Sequence, residues 1–174
     1  SDMGLMAVQT QRSSTGVDPA VGAVQAFSAD LYRTLSAGVT GNVICSPYSV
    51  LCALAMARVG AGGITASEMD AVLHAPEPAP EALGSSLQAL GQLLISRAGT
   101  ISRAGLPDAE ITLDVANSLW GQEGSAWEQE FLDALEQDFG AAMQSVDYAK
   151  DTEAARNAIN RWVSDRTHEK IPDL

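Results

Sequence analysis

A chain of 174 residues, 46% hydrophobic and 18% charged, can bury a core of its own, which excludes a disordered polypeptide. Its net charge is -12 and its ten Lys and Arg are scattered without a basic patch, which excludes a phosphate backbone or an anionic membrane as partner. No apolar run approaches the roughly 18 residues that a membrane span requires.

Residues 1–18 are mixed and turn-prone and form a flexible lead-in that ends at Asp18-Pro19. They lack the charged start and apolar core of a secretory signal, and Ser1-Asp2-Met3 has the look of a processed start. Val21, Val24, Phe27, Leu31 and Leu35 then recur at helical spacing, opposed by Gln25, Ser28, Asp30 and Arg33, and Gly38 and Gly41 end that surface helix. Residues 42–46 read as a short strand. Pro47 opens a helix whose run 50–59 is apolar on nearly every side, as in an element buried at the centre of a larger protein.

Glycines 60, 62 and 63 break the chain, and Thr65 with Glu68 has the spacing of a capping box for a short helix carrying Met69, Val72 and Leu73. A stiff proline-rich connector over 75–80 leads to an amphipathic helix with Leu83, Leu87, Leu90, Leu94 and Ile95 on one face. The pentapeptide Ile-Ser-Arg-Ala-Gly occurs at 95–99 and again at 101–105, a local duplication expected to lengthen a loop. Ile111, Leu113, Val115, Asn117 and Leu119 alternate with polar or small residues at the period of a strand, so one inward position is an amide that needs a partner. Ser125 and Glu128 have a second capping-box spacing before a helix with Phe131, Leu132, Leu135 and Phe139 inward and Gly140 at its end. Residues 142–148 form a third strand of this kind, and Asp151 or Thr152 caps a last helix with Ala155, Ile159, Trp162, Val163 and Arg166 on one side. The result is an α+β chain whose strands lie far apart in sequence.

The chemistry-bearing residues assemble no enzyme. His74 and His168 lie in different elements without ligands at metal spacing, no G-x-S-x-G offers a serine elbow, and no Gly-Lys-[Ser/Thr] follows the glycines at 60–63. The acidic residues of 128–138 fall on the solvated face of their helix. Cys45 and Cys52 lack C-x-x-C spacing and are expected to be buried free thiols. Neither a metal nor a cofactor is implied.

Four segments, in order, resemble the serpins, the family of serine protease inhibitors. Residues 42–49 are similar to the family's N-x-x-x-S-P-x-S entry to its central helix, and 59–68 to L-G-A-x-G-x-T-x-x-E with Val59 for the leucine. Residues 115–120 resemble its A-N-x-L-[FW] strand, and 157–174 its I-N-x-W-V and T-x-G-K-I-x-D-L block. The resemblance implies the N-terminal half of a serpin domain over 19–174, with about six helices and three strands belonging to two sheets. Glu169 stands where the family has glycine, so the turn after the last helix is expected to take a different path.

For the intact protein the resemblance implies suicide inhibition of a serine protease by insertion of a cleaved reactive-centre loop. The chain is expected to stop before that loop, which makes it non-inhibitory alone, with the missing C-terminal half of the fold as its partner and self-association through an exposed sheet edge. Asn42, Ser46, Pro47, Ser49, Asn117 and Asn160 are the implied switch residues, those of the shutter beneath the main sheet. Residues 81–97 carry one basic residue, Arg97, where glycosaminoglycan-activated serpins have several. An extracellular setting is implied by resemblance only. The rival reading is a non-inhibitory scaffold or protein-binding module.

Overall fold

The computed structural model describes residues 16–102, 105 and 107–174. Helices α1 (Asp18–Ser36), α2 (Pro47–Val59), α3 (Gly63–Leu73) and α4 (Ala82–Ile95) come first, and the short strands β1 (Gly99–Ile101), β2 (Ala109–Ile111) and β3 (Trp120–Gln122) follow. Helix α5 (Gln129–Phe139), strand β4 (Gln144–Val146) and helix α6 (Thr152–Arg166) complete the order. The α+β class and the helices thus follow the sequence pattern, with four short strands among the described residues in place of the three expected.

The core forms where α1, α2 and α4 meet. Phe27 of α1, Leu51 and Ala55 of α2 and Leu83 and Leu87 of α4 are buried together, with Leu73 of α3 beside them. Small residues permit this approach. A Cβ on Gly84 would stand 2.8 Å from two ring atoms of Phe139, so α4 and α5 meet at a distance that only glycine allows. Across the α2–α3 junction Arg58 donates from Nε and Nη2 to both oxygens of Asp70, each at 2.6 Å, in a fork that fixes orientation as well as distance. The guanidinium is held more firmly protonated by that carboxylate.

Several sequence expectations are corrected. Residues 42–46 form no ladder, and Ile44 is 95% exposed, because a strand needs a neighbour for its backbone groups and none stands beside it among the described residues. Helix α2 buries Leu51, Cys52, Ala55 and Met56 but leaves Val50 and Leu54 exposed, so half of its apolar circumference faces outward. Cys45 is likewise exposed, whereas Cys52 is buried and its thiol is pushed by desolvation up to about 11.

Neither capping box forms. The N-cap of α3 is Gly62 and that of α5 is Glu128, so Thr65 lies inside its helix and Ser125 ahead of its own, and neither helix has a side-chain cap. Asp151 does cap α6, accepting from the Ala154 amide at 2.9 Å. The duplication also does more than extend a loop: its first copy ends α4 and begins β1, which pairs antiparallel with β2 from Gly99↔Ile111 to Ile101↔Ala109. Residues 103, 104 and 106, with residues 1–15 of the lead-in, lie outside the described residues. Asp18 and Pro19, placed by the sequence reading at the edge of the lead-in, form the first turn of α1.

The strand expected over 111–120 is paired only at its ends. Residues 112–119 carry no ladder, and pairing resumes at Trp120, where β3 runs parallel to β4 with Trp120↔Gln144 and Gln122↔Val146 in register. The two later strands therefore share one sheet. Glu169 does not divert the chain as expected. It takes φ 60° directly after His168 at 48°, so the glycine-like left-handed turn is kept, at a cost of about 1 kcal/mol for each side chain held there.

Candidate functional site

The entrance to α2 is built from its own sequence. Ser46 is in extended backbone at the N-cap and its Oγ accepts the Ser49 amide at 3.3 Å, while Pro47 occupies the first turn, where its missing N–H leaves no intrahelical bond unmade. The Ser46 hydroxyl also donates to the Ser49 hydroxyl at 3.1 Å. Two hydroxyls at an open helix end thus hold each other and one backbone amide, a set of bonds that can be exchanged without leaving a buried group unpaired.

The other residues singled out from the sequence lie apart. Asn42 is exposed in the segment leading to α2, and Asn117 is half-buried on the wall of a cavity between α2, α4 and residues 115–118. Asn160 is buried on α6, where its Nδ2 donates to Asp173 and its Oδ1 accepts the Leu174 amide at 3.2 Å. Asn160 therefore fastens the chain after α6 back onto that helix. Among the described residues no hydrogen bond joins Asn42, Asn117 or Asn160 to the Ser46–Ser49 pair.

Residues that the sequence reading passed over complete the region. Tyr48, one helical position beyond Pro47, donates from its hydroxyl to the Leu87 carbonyl at 2.8 Å and lies against Gly91, where a Cβ would meet the hydroxyl at 2.6 Å. Burial keeps this phenol protonated well above its ordinary range, so it remains a donor at any physiological pH. The signal was available in Tyr48 and Cys52, four residues apart on one face of α2, but the bonding partner on α4 is 39 residues away. Similarly, Gln122 of β3 donates to Asp147 Oδ1 at 2.8 Å and accepts the Ala149 amide at 3.1 Å, tying the end of the sheet to the turn before α6.

Trp120 and Trp162 pack edge to face with centroids 6.2 Å apart, so α6 lies against the β3–β4 sheet through an indole pair. Tyr48, Cys52 and Met56 of α2, residues 115–118 and Trp162 and Arg166 of α6 line one cavity. Among the described residues no three His, Cys, Asp or Glu side chains are grouped to hold a metal ion, and no helix is long and apolar enough to cross a membrane.

The serpin family model, whose description is serine protease inhibitor, matches residues 22–174. The chain belongs to the serpin family. It is 35% identical over 149 residues to a leukocyte elastase inhibitor of Sus scrofa, a match covering 85% of this chain and 36% of that protein. An uncharacterized serpin-like protein of Thermococcus kodakarensis is 35% identical over 156 residues, covering 90% of this chain and 34% of its own. The solved structure titled Cleaved Serpin 42Da superposes with a TM-score of 0.71 at 28% identity, over 92% of this chain and 39% of that one. This serpin chain therefore spans little more than a third of the length of the curated relatives it matches.

Proposed function

We propose that the whole protein inhibits serine proteases by trapping them, and that residues 19–174 are the support against which its main sheet opens and closes. The observation that carries this reading is the stretch 112–119, which has a half-buried run at 115–119 against the helices yet no ladder between its two short paired ends. Backbone of that kind is suited to receiving a strand. In such a trap the protease cleaves an exposed reactive loop, remains acylated to it, and is carried along as the loop becomes a new strand. Each added ladder hydrogen bond contributes ~1 kcal/mol net, and alternate side chains gain ~25 cal/mol per Å² buried, so the uninserted state is held by kinetics. No reactive loop is recognisable in these 174 residues, and taken alone they are non-inhibitory on this reading.

The test is a covalent complex. The whole protein, incubated with elastase-like, chymotrypsin-like and trypsin-like proteases, is expected to yield an SDS-resistant complex with at least one, while the 174-residue polypeptide yields none. Simple cleavage of the whole protein by every protease, with no such band, overturns the reading in favour of a non-inhibitory module.

Within this reading Asn42, Ser46, Pro47, Ser49, Asn117 and Asn160 are the switch residues of a shutter, with Asn160 fastening the chain after α6 back onto that helix. The exchangeable Ser46–Ser49 bonds support that role. Ser49→Phe in the whole protein is expected to raise the rate of heat-induced polymerisation about tenfold or more, because added bulk beneath a sheet favours its open form by a kcal/mol or more. Unchanged polymerisation kinetics leave these serines as helix caps.

A further inference from the structure

His74 ends α3 in a left-handed turn, with φ 51°, a backbone conformation that glycine adopts freely and a side chain resists. Its imidazole has a distant partner. Nε2 stands 2.8 Å from Asp30 Oδ2 on α1, 44 residues earlier in the chain, and the other oxygen of the same carboxylate accepts from Arg33 Nη1 at 2.7 Å. A histidine and an arginine thus share one carboxylate across the α1–α3 junction.

The His74 hydrogen bond first and the Arg33 bond next hold the Asp30 carboxyl below the usual carboxylate range, so it is ionised in neutral and mildly acidic solution. An ionised carboxylate only accepts, so His74 donates from Nε2 in either protonation state. The neutral ring makes a plain hydrogen bond. The imidazolium adds charge assistance, and its positive charge also faces the carbonyl dipoles at the C-terminus of α3. The nearest carboxylate on α3 itself, Asp70, is committed to the two-bond fork of Arg58 from α2. Glu68 of α3 and Glu77 of the connector enter no ion pair among the described residues.

We propose that the Asp30–His74 pair is a pH-sensitive clasp, which fastens the turn after α3 to α1 when the imidazole is protonated and loosens that turn when it is not. Two signs set its window. Imidazole ordinarily titrates between about pH 5 and 8, so the charge-assisted part is complete at the acid end of that range and is lost as pH rises through it. Asp30 bounds the clasp from below, because a depressed carboxyl gives up its contribution only as pH falls beneath the usual carboxylate range. Leu73, the residue before His74, is 1% exposed within the core, so the loosening is confined to the turn that follows it. The clasp is independent of protease trapping.

Hydrogen exchange of the whole protein at about pH 5.5 and about pH 8, each corrected for the intrinsic exchange rate, reads this opening with the amides of α4 as internal reference. The Ala75 amide is bonded to the Asp70 carbonyl at 2.9 Å across the turn. Relative to α4 it is expected to be about threefold better protected at the lower pH, the size of effect that a partly exposed ion pair supplies. Asp30→Asn and His74→Asn are each expected to abolish the difference while keeping a melting temperature close to the parent's, since both side chains are partly exposed and asparagine tolerates left-handed backbone. An Ala75 amide whose protection relative to α4 is the same at both pH values, or changes as much in Asp30→Asn as in the parent, overturns the proposal.

Discussion

Leu87→Ala is expected to lower the stability of the fold by about 3 kcal/mol, within the range for a fully buried leucine that leaves a cavity. Leu87 is 0% exposed at the junction of α1, α2 and α4, and its own carbonyl accepts the Tyr48 hydroxyl, so collapse into the vacated space is resisted by a hydrogen bond on the same turn. Leu93, on the opposite side of α4, is 40% exposed, and Leu93→Ala is expected to cost less than about 1 kcal/mol. Urea unfolding of the two variants checks the contrast. Equal midpoints mean that α4 is not the wall of the core.

Gly84→Val is the second large effect. Alanine at this position already brings its Cβ to 2.8 Å from the Phe139 ring and 3.0 Å from Asp138 Cβ, and valine adds two methyl groups to that contact. The gain in helix propensity over glycine is under about 1 kcal/mol, against roughly 3 kcal/mol for overpacking at this contact. A lowered melting temperature with the near-ultraviolet signal of the aromatic side chains altered is expected. A melting temperature at or above the parent value shows that α5 moves away at little cost, and that the α4–α5 contact is not what fixes the helices behind residues 112–119.

What could be read from the sequence was what is encoded locally. Helical periodicity located α1 and α4–α6, Pro47 and Gly140 marked a start and a stop, and Asp151 was recognisable as a cap because it satisfies an amide three residues away. Failures arose where the deciding partner is distant or outside the described residues. Residues 42–46 and 112–119 have the composition of strands, but a ladder is a property of two segments, and periodicity names only one of them. The same holds for α2: its apolar circumference predicts burial, yet Val50 and Leu54 stand exposed among the described residues.

The capping boxes failed for a different reason. Thr65 and Ser125 have the right spacing, but helices begin where the chain leaves the preceding turn, and Gly62 and Glu128 already stand in extended backbone there. For the candidate site, the motif over 42–49 identified the Ser46–Ser49 pair. It did not identify Tyr48 or Gly91, since their importance lies in contacts between helices and not in their spacing along one. Glu169 shows the converse case, where local preference predicts one turn and its neighbours, the Ser164 carbonyl accepting its amide among them, hold another.

The central claim is that residues 112–119 belong to a sheet built to accept one more strand. The most direct measurement is the melting temperature of the whole protein before and after a single cut in its reactive loop by a protease that it does not trap. Insertion adds a full strand of ladder hydrogen bonds and buried side chains, so the cleaved protein is expected to melt at a markedly higher temperature, with more β structure by circular dichroism. A cleaved protein that melts at the same temperature or lower, with its β content unchanged, contradicts the account.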